Sequence, residues 1–225
     1  MSVGVVIVAA GLGTRAGGGV QKQWRPLAGA TSVHHALQAF AAHPAIETAV
    51  LVLHPDMTDS PQAAGMPSAL IVSGGTTRSQ SVLAGLEALE GRCDRVLIHD
   101  GARPCVSRAV IDGVLAALEH DVAAAPALPV VDALWTGGKG GDVTGLADRT
   151  GLYRAQTPQG FRLDLILAAH RAHPEGADDD VALMLRAGHR VQITAGDEDN
   201  LKITHPADFA RAGRILEARD GHQAG

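Results

Sequence analysis

The sequence predicts an α/β fold in which a mostly parallel sheet is covered by helices. Three observations support this. Short apolar runs alternate along the chain with segments of helical spacing, the order that builds parallel sheets with crossover helices. The runs show little polar alternation, as expected of strands buried on both faces. The 225 residues, 46% of them apolar, suffice for one substantial core, so a single domain over 1–225 is expected.

Residues 3–9 (VGVVIVA) read as the first strand, followed by a polar, Gly-rich connection over 10–26. Val33, Ala36, Leu37 and Phe40 then recur at helical spacing, with Ser32 placed as N-cap. Residues 49–53 and 69–72 are strands, and Gly74-Gly75 ends the second. Val82, Leu86 and Leu89 predict a helix over 78–89. A strand at 95–98 stops at the polar turn 99–104; a helix near 110–118 and a strand around 122–125 follow.

The segment 128–150 has no helical period and reads as an exposed hairpin arm, with 133–136 and 142–146 as its strands. Helices over 163–171 and 179–187, a strand at 190–194, a loop over 195–205 and a helix from Pro206 complete the chain, with a polar tail from Asp220.

Composition excludes several classes. No apolar run approaches the ~20 residues that span a bilayer, and no basic segment precedes the first apolar run, so neither a membrane span nor a secretory signal is expected. Cys93 and Cys105 lack metal-like spacing and are too few for a disulfide scaffold, which points to a reducing cytoplasm. A net charge of −5 argues against a general nucleic-acid binder. The basic residues are 16 Arg and 3 Lys (Lys22, Lys139 and Lys202). Arg and Lys are not interchangeable, so each Lys invites a question.

Three unusual loops, 10–26, 73–78 and 99–104, fall at predicted carboxyl ends of strands, where such sheets bind ligands. The first contains a formal G-x-G-x-x-A match at Gly11, Gly13 and Ala16. Gly17-Gly18-Gly19 and Pro26 oppose the immediate helix a dinucleotide site needs, and no Gly-Lys-Ser/Thr of a Walker loop is present. Exposed amides with Arg15 and Lys22 suit a triphosphate; a solvated glycine turn with incidental charges is the alternative. Asp100, in His99-Asp100-Gly101-Ala102-Arg103-Pro104, stands where a magnesium ligand would, with Arg103 able to hold a phosphate. The alternative is an Asp/Arg pair that caps the turn. Gly74-Gly75 permits close approach to a flat base, and Ser81 could donate to it or act only as a cap.

Taken together these segments resemble the 2-C-methyl-D-erythritol 4-phosphate cytidylyltransferase family. The matching pieces are AAGLGTR (9–15), KQW (22–24), GGTTRSQSVLAGL (74–86), HDGARPC (99–105), PVVDALW (129–135), DRTGLYRAQTPQGF (148–161) and DEDNLKIT (197–204), in order through most of the chain. The resemblance implies a Rossmann-like, doubly wound nucleotidyltransferase sheet with a protruding β-arm, and a cytoplasmic homodimer formed by arm exchange. It also implies a magnesium-dependent transfer of CMP from CTP to methylerythritol phosphate, with release of pyrophosphate.

By the same resemblance Arg15, Lys22 and Lys202 would be catalytic cations on the phosphates, and Asp100 the metal ligand. Ala9, Ala10, Gly11, Gly75, Ser81 and Gly101 would surround the cytidine. Arg103, Arg149 and Thr157 would contact the second substrate, Arg149 reaching the neighbour's site on the arm. Gln21, Thr76, Ala133 and Asp178 depart from the family's usual residues. A cytidylyltransferase for another polyol phosphate, such as ribitol 5-phosphate, is the nearest alternative.

Overall fold

The computed structural model describes residues 2–11, 22–66 and 68–223. The elements run β1 (Val3–Ala9), β2 (Pro26–Leu27), β3 (Ala30–Thr31), α1 (Ser32–Ala41), β4 (Thr48–Leu53), α2 (Pro61–Ala64), β5 (Leu70–Ser73), α3 (Arg78–Leu89), β6 (Arg95–Asp100) and α4 (Arg108–Ala117). They continue with β7 (Ala123–Pro129), β8 (Leu134–Gly137), β9 (Val143–Ala147), β10 (Tyr153–Ala155), β11 (Gln159–Arg162), α5 (Leu163–Ala172), α6 (Asp180–Arg186), β12 (Gln192–Ala195) and α7 (Pro206–Gln223). A short 3₁₀ turn at Lys22–Trp24 precedes β2.

The main sheet has eight strands in the order β10-β7-β11-β6-β1-β4-β5, with β12 also paired to β7. β1 pairs in parallel with β4 on one side and β6 on the other. The chain therefore winds outward through β4 and β5, then returns to place β6 against the opposite edge of β1. That reversal opens a crevice at the carboxyl ends of β1 and β6, the preferred ligand position in such sheets. The register sets Val8 beside Asp100, so the acid lies at the mouth of the crevice. β10 and β11 are antiparallel to their neighbours, so the sheet is mixed rather than wholly parallel.

Alternation along β1 divides the core. Val5 and Ile7 face α1 and α4, packing with Leu37, Phe40, Ile111 and Val114. Val6 faces α3, α5 and α6, packing with Val82, Leu86, Ile166 and Met184. The approach of α3 requires Gly85, where an added Cβ would lie 2.5 Å from Val6 Cγ1. A third cluster, with Leu27, Cys105, Ile203, Ala212 and Leu216, fixes α7 beneath the turn after β6.

Most sequence expectations hold within one or two residues, and the differences have physical causes. Thr31, not Ser32, caps α1, accepting from the His34 amide; Ser32 Oγ instead donates to the Gly101 carbonyl at 2.9 Å. β6 runs through His99 and Asp100 instead of stopping at 98, because both still pair with β1. The small β2-β3 hairpin and the β10-β11 strands were not anticipated. The latter pair is Gln-, Gly- and Arg-containing, so its sequence lacks an apolar run and the neighbours β6 and β7 impose the extended form.

Helix α7 continues to Gln223, past the polar tail expected from Asp220. The arm hairpin is β8-β9, shifted by one residue from expectation. Trp135, on β8, is 66% exposed.

Candidate active site

The carboxyl end of β6 gathers the charged groups. Asp100 is nearly buried, and Lys202 Nζ lies 2.7 Å from its Oδ2. Arg78 Nε lies 3.5 Å from Oδ1, and Arg103 Nε 3.9 Å from Oδ2. Burial alone would raise the carboxyl's pKa, but the charges of Arg78, Lys202 and Arg103 outweigh it and hold Asp100 well below the ordinary carboxylate range. The site thus holds an ionised acid among three cations drawn from α3, the turn after β6 and the loop before α7.

His99, beside it, is wholly buried, and that burial pushes its pKa down to about 4. The imidazole is therefore neutral near pH 7, and its partners fix the tautomer. Nε2 faces the Arg103 carbonyl at 3.0 Å and must donate. Nδ1 must then accept the Thr157 hydroxyl, also at 3.0 Å. Thr157 Oγ1 in turn accepts the Asp100 amide at 3.2 Å. This chain of hydrogen bonds locks the end of β6 to the segment between β10 and β11.

The rim of the crevice is backbone. Gln23 Nε2 donates to the carbonyls of Ala9 and Gly11, both at 2.9 Å, which fixes the exit from β1. Across from it Ser81 Oγ accepts the Gly75 amide at 3.1 Å and donates to Thr77 O at 2.9 Å. Gly74 is required by packing: a Cβ there would lie 2.5 Å from Ala10 Cβ. Gly101 N donates to Val8 O at 3.0 Å, closing the floor between β1 and β6.

A model of the 2-C-methyl-D-erythritol 4-phosphate cytidylyltransferase family matches residues 3–218. A protein of that name from Roseobacter denitrificans is 61% identical over 222 residues, covering 99% of this chain and 100% of the relative. The chain belongs to the 2-C-methyl-D-erythritol 4-phosphate cytidylyltransferase family. A bifunctional enzyme IspD/IspF of Paracoccus denitrificans is 59% identical, and there the match covers 94% of this chain but 55% of the relative. The crystal structure of the family's Thermus thermophilus member superposes with a TM-score of 0.81 at 32% identity, covering 96% of this chain and 100% of that one. Membership makes the protein a nucleotidyltransferase enzyme.

For this cytidylyltransferase-family chain the structure brings together Asp100, Arg103, Thr157 and Lys202, with Ala9, Ala10, Gly11, Gly75, Ser81 and Gly101 at the rim. Arg15, Gln21 and the Lys22 side chain lie outside the described residues. Arg149 sits at the base of the arm, where it donates to the Val131 carbonyl. Ala133 and Asp178 are exposed, and Thr76 donates its hydroxyl to Gln80 Oε1 at 2.7 Å.

Two expectations are sharpened. Ser81 is not the helix cap, since Thr77 fills that role, and its hydroxyl is spent shaping the 74–77 turn. Arg103 already donates to Asn200 O at 2.7 Å and Ala155 O at 3.4 Å; its buried Nε is the donor without a hydrogen-bond partner among the described residues.

Sequence reasoning missed Arg78. Its Nη2 lies 2.9 Å from Asp180 Oδ2, while its Nε faces Asp100. Asp180 is 1% exposed and also accepts from His170 Nε2 at 3.1 Å. The available signal was the basic residue inside GGTTRSQS, directly after the Gly-Gly turn. Asp179 is the N-cap of α6, its side chain accepting the Ala182 amide.

Among the described residues no group of three or more His, Cys, Asp or Glu side chains could hold a metal ion. Asp100 therefore offers one carboxylate, held ionised. That fits magnesium, which is commonly bound by one or two carboxylates while substrate phosphates and water complete its shell.

Proposed function

We propose that the crevice at Asp100 performs the family's reaction, transfer of CMP from CTP to 2-C-methyl-D-erythritol 4-phosphate with release of pyrophosphate. The observation that carries this reading is the convergence of Lys202, Arg103 and Arg78 on Asp100 at the switch point of the sheet. The substrate phosphate attacks the α-phosphorus of CTP; a new P–O bond forms, and the bond to the β-phosphate breaks. The attacking group is already anionic, so no general base is required. What the protein must supply is in-line positioning and compensation of negative charge.

Lys202 faces the α-phosphate, and Arg15 and Lys22 of the first loop hold the triphosphate. Asp100 keeps the Lys202 ammonium in place before substrate arrives and is the residue that would hold magnesium. Bound there, the ion would neutralise phosphate charge. The rim from Ala9 to Gly11, with Gly75, Ser81 and Gly101, takes the cytidine. Arg103 presents Nε to the methylerythritol phosphate, and Thr157 holds that region through His99.

The arm makes a homodimer in this reading. Trp135, Val143 and Leu146 are 66%, 56% and 79% exposed on one hairpin, with Val131 at 67% close by. Apolar side chains clustered on a protruding hairpin favour a covering partner, and a second copy of the arm supplies one while carrying Arg149 toward the neighbouring site. No helix among the described residues is long and apolar enough to cross a membrane, in keeping with a cytoplasmic enzyme.

Pyrophosphate release measured with CTP and each polyol phosphate tests substrate and reaction together. Turnover is expected with methylerythritol phosphate and falls by about 10²-fold in Lys202→Ala, the scale of one lost preorganised charge contact. Turnover with ribitol 5-phosphate alone would overturn the substrate assignment.

A further inference from the structure

Lys202 lies in a loop with no regular secondary structure of its own, yet its ammonium meets Asp100 at 2.7 Å. Something must hold a loop that tightly. Ile203, directly after it, is anchored twice: its side chain is buried against Ala212 and Leu216, and its amide donates to the Ala102 carbonyl at 2.8 Å. The anchor before Lys202 is polar. Asn200 is fully buried, and its Nδ2 donates to the Thr157 carbonyl at 2.8 Å and lies 3.4 Å from Gln156 Oε1. Gln156 grips the start of the same loop from both sides, accepting the Asp197 amide at 3.0 Å and donating to its carbonyl at 2.8 Å. The Asn200 carbonyl in turn receives Arg103 Nη1 at 2.7 Å.

We infer that Asn200, seated by Gln156, is a positioning residue for catalysis: its side chain fixes the loop so that Lys202 meets the reacting phosphates in register. The inference rests on the role given to Lys202 above. The buried side-chain amide ties the Lys202 loop to the 156–157 segment, while the backbone carbonyl of the same residue ties it to Arg103. Thr157 is held separately by His99 and the Asp100 amide. Loss of the Asn200 side chain therefore removes the anchor closest before Lys202, loosening that stretch of the loop, and leaves the end of β6 in place. Misplacement by about 1 Å can cost on the order of 10²-fold in rate.

The test is a double-mutant cycle in kcat, with thermal midpoints recorded for each protein. Asn200→Ala is expected to lower kcat by about 10-fold or more in the otherwise unchanged enzyme. In the Lys202→Ala background the same change is expected to cost less than about 2-fold, because the group it positions is gone. Equal fold-losses in both backgrounds would mean a general structural role and overturn the inference, as would a normal kcat for Asn200→Ala. If Asn200→Ala does not yield folded protein, Gln156→Ala decides by the same comparison. Normal turnover in Lys202→Ala alone would remove the role given to that lysine, and this inference with it. An impaired Lys202→Ala with additive losses removes only the inference.

Discussion

Asp180 is an ionised side chain with 1% exposure, and a residue in that position is costly unless its neighbours compensate. Arg78 and His170 do so, from α3 and α5. Burial would raise its pKa, but the hydrogen bond from His170 and the charge of Arg78 outweigh it and lower the value. A carboxylate lowered on folding contributes stability above the unfolded value, near 3.9, and that stability is lost as pH falls through the folded value. Wild type should therefore lose more stability than Asp180→Asn between about pH 7 and about pH 3, measured by urea unfolding. Arg78→Ala leaves Asp180 buried without its cation and should cost about 3–5 kcal/mol at neutral pH, the scale of one broken buried pair. A cost below about 1 kcal/mol, typical of exposed pairs, would show that His170 alone suffices.

At the scale of elements, α3 matters most to the site, because it delivers Arg78 and Ser81. Its start is a capping box: Thr77 accepts the Gln80 amide while Gln80 Oε1 accepts from Thr77 N. The same Oε1 also holds the Thr76 amide at 2.9 Å, so the cap and the Gly-rich turn form one unit. Thr77→Ala should cost roughly 1 kcal/mol of stability, read as a lowered thermal midpoint, and raise KM for CTP by loosening Gly75. An unchanged KM would separate the cap from the site.

The elements most legible in the sequence were those with an unbroken apolar run, β1, β4 and β6, or a clear helical period, α3. The strands β10 and β11 were illegible because their pairing partners, rather than their own side chains, hold them extended. Likewise Ser32 and Ser81 looked like caps, but the nearest acceptors and donors in three dimensions gave that role to Thr31 and Thr77.

At the scale of the whole molecule the arm stands apart from the core, since its hairpin forms a separate two-stranded sheet. Trp135→Ser is expected to shift a dimer toward monomer in sedimentation or light scattering, with little effect on the thermal midpoint of the protomer, because the residue is 66% exposed within one chain. A stable monomer at micromolar concentration in the unmodified protein would rule out arm exchange.

The sequence by itself determined the α/β order, the position of the Gly-rich and HDGARP loops, and the scarcity of lysine that drew attention to Lys22 and Lys202. Local period and residue chemistry are enough for those. Only the tertiary structure decided that Lys202, 102 positions from Asp100 in the chain, meets it at 2.7 Å. It alone brought in Arg78, Asp180 and Asn200, whose roles come from burial and from partners distant in sequence. A buried charge or amide must be satisfied by whatever the fold places beside it, and no local pattern records which group that will be.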